Sequence, residues 1–171
     1  MSFGLVKHNN NSISAVTSVG LTQGKMTLLQ TQTASSSSSV SFTSNIDSTY
    51  PIYVFKFINI HPSADASFTF QADTGTNTNY NQTITSSAFN AYHYENDDSC
   101  NGILHIFQPS DTTFVKHFLC VMNSSAVTPA TYNDFVGGYF NTTTPLTRFQ
   151  FKMSTGNIDS GTIKLYGIKG S

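Results

Sequence analysis

The chain has 171 residues, enough for one compact domain with its own core, and only 10% are charged against roughly 25% in an average domain. Ser, Thr and Asn supply the polar surface instead, while 14 Phe, 8 Tyr and a single glutamate, Glu95, tilt the composition toward strands. A net charge of −1, with eight Lys and Arg scattered singly from Lys7 to Lys169, argues against the phosphate-neutralising chemistry of nucleic-acid binding and against electrostatic attachment to an anionic membrane.

Residues 1–25 differ from the rest. Phe3, Leu5, Val6, Ile13, Val16, Val19 and Leu21 stand isolated among Asn, Ser, Thr and Gly, with neither helical nor strand periodicity. Two expectations stay open there: a solvated tail, or an extended arm that docks its spaced apolar residues on a neighbouring subunit. The first eleven residues hold no uninterrupted apolar stretch and no small-residue cleavage site, so no secretion signal is expected. No apolar run reaches the ~20 residues of a membrane-spanning helix.

From residue 26 the pattern is β. Residues 26–33 and 40–43 read as short strands around Ser35–Ser39, a run suited to a turn or to an exposed strand edge. Residues 53–60 set Tyr53, Phe55 and Phe57 on one face, and Pro62 ends that strand. Residues 67–72 alternate to bury Phe68 and Phe70, a loop follows at 73–79, and 82–85 and 89–94 are further strands. Residues 102–107 look buried on both faces. The run 114–122, apolar apart from Lys116 and His117, reads as a central strand, and Gly137-Gly138 within 135–140 reads as a bulge. Residues 147–153 alternate cleanly, 154–161 read as a hairpin connection, and 162–168 close the chain. The expected architecture is all-β: one antiparallel sandwich, jelly-roll-like, of about ten short strands over residues 26–171, preceded by the arm at 1–25.

No pattern here requires catalysis. Glu95-Asn-Asp97-Asp98 is the one dense acidic stretch; a pair of carboxylates flanking a glycosidic bond and a solvated turn both fit it, and its polar setting favours the turn. His93 and Glu95 share a strand face, and His105 on a neighbouring strand would complete a faint outline of a cupin metal site. The first His-x-His of that pattern is missing, since the sequence reads His93-Tyr-Glu95, so no metal or other cofactor is expected. Asp73-Thr-Gly-Thr-Asn77 lacks the repeated carboxylates of a calcium loop. Cys100 and Cys120 read as free thiols rather than a disulfide. Tyr80, Tyr92, Tyr94 and Tyr132 are candidates for stacking on sugar rings, or are ordinary strand residues.

The C-terminal stretch from Arg148 through Phe-Gln-Phe-Lys-Met-Ser-Thr-Gly-Asn-Ile-Asp-Ser-Gly-Thr-Ile-Lys-Leu-Tyr-Gly to Ile168 resembles the endings of small virion structural proteins of marine tailed bacteriophages. Residues 53–62 and Phe114-Val-Lys-His-Phe118 are similar to the same group, so the resemblance spans roughly 26–169. It implies a jelly-roll-like fold and a non-enzymatic place on the phage particle, assembled in the bacterial cytoplasm. It carries over no catalytic or binding residue. The expectation that follows is a capsid decoration or cement protein bound to the major capsid protein or a tail protein. It would be a homo-oligomer, with a trimer as one option, and dock by its N-terminal arm. The alternatives are a tail- or fibre-associated sandwich that binds host glycan through Tyr80, Tyr92 and Tyr94, or a free carbohydrate-binding module.

Overall fold

The structure, a computed structural model, describes residues 26–74, 89–91, 99–126 and 130–169. These residues form ten strands and no helix. In chain order they are β1 (Met26–Ser37), β2 (Val40–Phe42), β3 (Ile52–Pro62), β4 (Ala66–Asp73) and β5 (Phe89–Ala91). There follow β6 (Cys100–Phe107), β7 (Lys116–Ala126), β8 (Ala130–Phe140), β9 (Arg148–Met153) and β10 (Ile158–Ile168). A six-stranded sheet runs β1-β10-β3-β6-β7-β8 and a four-stranded sheet runs β2-β9-β4-β5, with every pair antiparallel. The chain is a β-sandwich, as its composition predicts.

The pairing is nested. β1 pairs with β10, β2 with β9, β3 with β6 and β4 with β5, the outer partners in sequence enclosing the inner ones. β7 and β8 stand outside this scheme as a long hairpin added to the β6 side of the larger sheet.

Alternation decides which side chains meet between the sheets. On β9, Phe149, Phe151 and Met153 point inward while Arg148, Gln150 and Lys152 do not; β4 buries Ala66, Phe68, Phe70 and Ala72 by the same rule, and β3 buries Tyr53, Phe55 and Phe57. Phe151 is the hub of the core. Its ring lies 4.9 Å from Phe55, 5.2 Å from Phe57, 5.9 Å from Phe68 and 6.0 Å from Phe42, mostly edge-to-face, the arrangement aromatic quadrupoles prefer.

Four expectations need correction. Residues 154–161 do not form a hairpin, because β9 and β10 belong to different sheets. That segment is a crossover. It lies beside the turn from β3 to β4, where the Ser63 amide donates to the Asn157 carbonyl (3.0 Å) and the Asn157 amide to Ser63 Oγ (2.8 Å). Gly137 and Gly138 make no bulge: β7 and β8 pair without a break from Lys116–Phe140 to Ala126–Ala130. The run 114–122 is not a central strand, since β7 lies one place from the edge and only one of its faces is buried. Residues 102–107 are likewise buried on one face alone, through Leu104 and Ile106. The serine run is split, with Ser35–Ser37 ending β1 as an exposed edge.

Two glycines are fixed by geometry. Gly161 sits at an irregular register between β10 and β3 with φ +125°, where an added Cβ would meet the Asn59 carbonyl at 2.6 Å. Gly167 lies against the Tyr50 ring, and any Cβ there would overlap it.

Candidate interaction face

Part of the outer face of the six-stranded sheet is apolar where a solvated sheet should be polar, although the row of Asn101, Asn123 and Asn133 on it is polar. The ladder places Leu28, Tyr166, Val54, His105, Leu119 and Gly137 in one row across all six strands. The adjoining row runs Thr31, Lys164, Lys56, Ile103, Val121 and Phe135. On the other side, Met26, Ile168, Ile52 and Phe107 line up, and His117 pairs with Tyr139 on the hairpin. Val54 belongs to this face yet has no exposed surface, flanked in its row by Tyr166 and His105.

Exposure is concentrated on the hairpin. Phe135 is 78% exposed, Leu119 54%, Val121 38% and Tyr139 36%. These positions follow from the strict alternation of β7, whose Phe118, Cys120 and Met122 fill the core while His117, Leu119 and Val121 turn outward. At the far edge Met26 and Leu28 are exposed as well. No Asp or Glu falls on these rows. The two lysines of the face sit away from the hairpin on β3 and β10, and Lys56 Nζ lies 5.3 Å from the centre of the Tyr166 ring, a cation–π distance.

His105 stacks near the Phe107 ring, with centroids 6.3 Å apart, and burial among apolar neighbours holds its pKa below the usual histidine value. At the foot of the hairpin, Lys116 is fully buried; its Nζ donates to the carbonyls of Phe114 (3.1 Å) and Thr142 (3.2 Å). Desolvation lowers its pKa, partly offset by the charge of Asp111. Asp111 Oδ1 in turn accepts from the amides of Thr113 (2.6 Å) and Phe114 (2.7 Å), closing the turn that leaves the Phe114 ring 70% exposed. Lys116 thus ties together the two loops that flank β7 and β8, a structural use of a buried charge.

The sequence-derived candidates distribute as follows. The arm residues Phe3, Leu5, Val6, Ile13, Val16, Val19 and Leu21 lie outside the described residues. So do Tyr80, Tyr92, Tyr94, His93, Glu95, Asp97 and Asp98. Tyr132 is described and exposed, on the hairpin rather than in any sugar-sized cluster of tyrosines among the described residues. His105 stands between Val54 and Leu119, and among the described residues no three His, Cys, Asp or Glu side chains come together as a metal site. Cys100 and Cys120 are free and buried. Burial pushes the Cys100 thiol up to about 12 and raises that of Cys120 as well, which disfavours the thiolate at both.

Leu119, Val121, Phe135 and Tyr139 were not among the residues singled out from sequence. The signal was present in the run 118–122, apolar on both faces, which fits a strand covered on both sides equally well whether the second cover is the same chain or another. No helix among the described residues is long and apolar enough to cross a membrane. No family model, curated protein or solved structure matches the chain.

Proposed function

We propose that the protein is a bacteriophage virion structural protein, a decoration or cement protein of the capsid surface. The observation that carries this reading is the apolar part of the six-stranded sheet's outer face formed by Leu119, Val121, Phe135 and Tyr139, whose rows hold no carboxylate. Such a face is costly in an isolated particle and useful in an assembled one, because each Å² of apolar surface withdrawn from water contributes roughly 25 cal/mol. The nested strand order supports a jelly-roll reading of the sandwich, an architecture used in viral capsids but also in lectins and cupins, so the fold alone does not choose among them. The sequence resemblance to phage virion proteins favours the first. Met26 and Leu28 continue the apolar character of residues 1–25 onto the sheet, which suits attachment through arm and face together.

Immunogold electron microscopy tests the reading, using an antibody against the folded domain and particles purified from a lysate that contains the protein. Label over the head is the expected result. Label confined to the tail would move the protein to host recognition, and unlabelled particles beside a positive lysate would overturn the virion role.

A further inference from the structure

The four edges of the sandwich are not treated alike. β2 ends one side of the smaller sheet and is three residues long, too short to template a partner strand, and on the other side β5 is described over Phe89–Ala91 alone. β1 ends the larger sheet, but its register breaks between Leu28 and Gln30, its later half is Gln, Thr and Ser, and Ser36 has φ +46°. These are the devices by which native sheets refuse further strands. β8, the remaining edge, keeps an unbroken register and no positive φ, and its one charged residue is Asp134. It is eleven residues long, pairs with β7 without a bulge, and contains no Pro, Lys or Arg. Among the described residues nothing pairs with its outer side. Phe135, the most exposed large apolar residue of the described chain, lies at its midpoint.

We infer that β8 is the seat of a second copy of this chain, joined strand to strand about a two-fold axis so that the six-stranded sheets of two copies become one. A strand paired antiparallel with itself is self-complementary by symmetry, the requirement of a closed two-fold contact. Eleven residues paired this way close about ten backbone hydrogen bonds, the number found in a typical stable interface. Charge does not oppose it. The outer positions of β7 and β8 hold His117 as their one titratable cation, and the hairpin's only acid is Asp134. Phe135, at the midpoint of β8, then packs beside its counterpart across the new ladder.

This inference does not rest on the virion reading: it concerns the purified protein, and either can fail while the other stands. The experiment is light scattering with size-exclusion chromatography on the full chain at ~10–100 µM, beside the variant Phe135→Lys/Gly137→Lys. Phe135 is exposed, and a Cβ at Gly137 meets only Leu119 Cδ2 at 3.5 Å and the Phe118 carbonyl at 3.8 Å, so the fold tolerates both changes. The expected result is a two-chain mass for the native protein and a single-chain mass for the variant, with matching circular dichroism and melting temperature. A native protein of single-chain mass overturns the inference, including the case in which its own residues 1–25 cover β8. A mass of three or more chains, or a variant that remains a dimer, overturns it equally. Phe114→Lys, which changes an exposed aromatic outside the hairpin, should leave the dimer intact; its loss there would place the contact elsewhere.

Discussion

The outer faces of the two sheets obey different rules. On the four-stranded sheet, Ser41, Ser67, Thr69, Gln71, Gln150 and Lys152 face outward, and they bond to one another and to the backbone: Gln150 Nε2 donates to Ser41 Oγ (3.1 Å) and Ser39 Oγ (3.3 Å), and the Thr69 hydroxyl to the Lys152 carbonyl (3.0 Å). On the six-stranded sheet the corresponding rows hold Thr31, Lys164, Lys56 and His105 toward one side, but Leu119, Val121 and Phe135 on the hairpin. The first face is finished in water. The second presents large apolar side chains to water over the β7–β8 hairpin among the described residues.

The comparison can be broken most sharply with two phenylalanines. Phe151→Ala should destabilise by about 3–5 kcal/mol, because it empties the centre of the aromatic core, whereas Phe135→Ala should change the stability of a single chain by under about 0.5 kcal/mol. Urea denaturation of the two variants at dilute concentration checks both; comparable losses would mean that Phe135 packs within its own chain.

Next in size is Tyr53→Phe. The Tyr53 hydroxyl accepts from the Asp47 amide (2.9 Å) and donates to its carbonyl (3.0 Å), so removal should cost about 1–2 kcal/mol by thermal melting. Burial raises the Tyr53 pKa to about 12. A raised folded value means stability that is whole below the unfolded pKa near 10 and drains away as pH climbs toward 12, and Tyr53→Phe should remove that alkaline slope.

Smaller again is an exchange of characters between the faces. Gln150→Leu gives up its bonds to Ser39 and Ser41 and should cost about 1 kcal/mol, while Leu119→Gln, on an exposed position, should change stability by under about 0.5 kcal/mol. Urea denaturation of the pair checks both; a Leu119→Gln variant that loses as much stability as Gln150→Leu would reverse the assignment.

The smallest effect is a pH dependence at His105. Its folded pKa lies below the ordinary 6.5, so on acidification the unfolded chain takes up the proton first and stability falls as pH drops below about 6.5. His105→Gln should flatten the melting temperature across that range, and an unchanged slope would assign it to other groups.

The sandwich was legible where one strand face is polar. In β9, Arg148, Gln150 and Lys152 mark the outside so clearly that Phe149, Phe151 and Met153 can only face inward. The same logic misled at β7, because Leu119 and Val121 are as apolar as Phe118 and Cys120, and sequence does not say whose surface will cover them. Ser154–Gly161 carries every turn signal of a hairpin, yet turn chemistry states only that the chain bends; the sheet it joins next depends on Ser63, almost a hundred residues earlier. Gly137-Gly138 read as a bulge because glycine weakens strands, but here Gly137 stands opposite Leu119 in an unbroken ladder. The arm residues and Tyr80, Tyr92 and Tyr94 lie outside the described structure, so the site legible from the described residues is the face and edge of the hairpin.

Hydrogen exchange on the full chain tests the central claim most directly, by comparing the two edges of the larger sheet. Amides of β1 that point away from β10 meet no partner strand among the described residues and should exchange quickly, whereas the outward amides of β8 should be protected in the native protein and lose that protection in Phe135→Lys/Gly137→Lys. Exchange from β8 as rapid as from β1 would show an edge that water reaches freely, and would contradict the account.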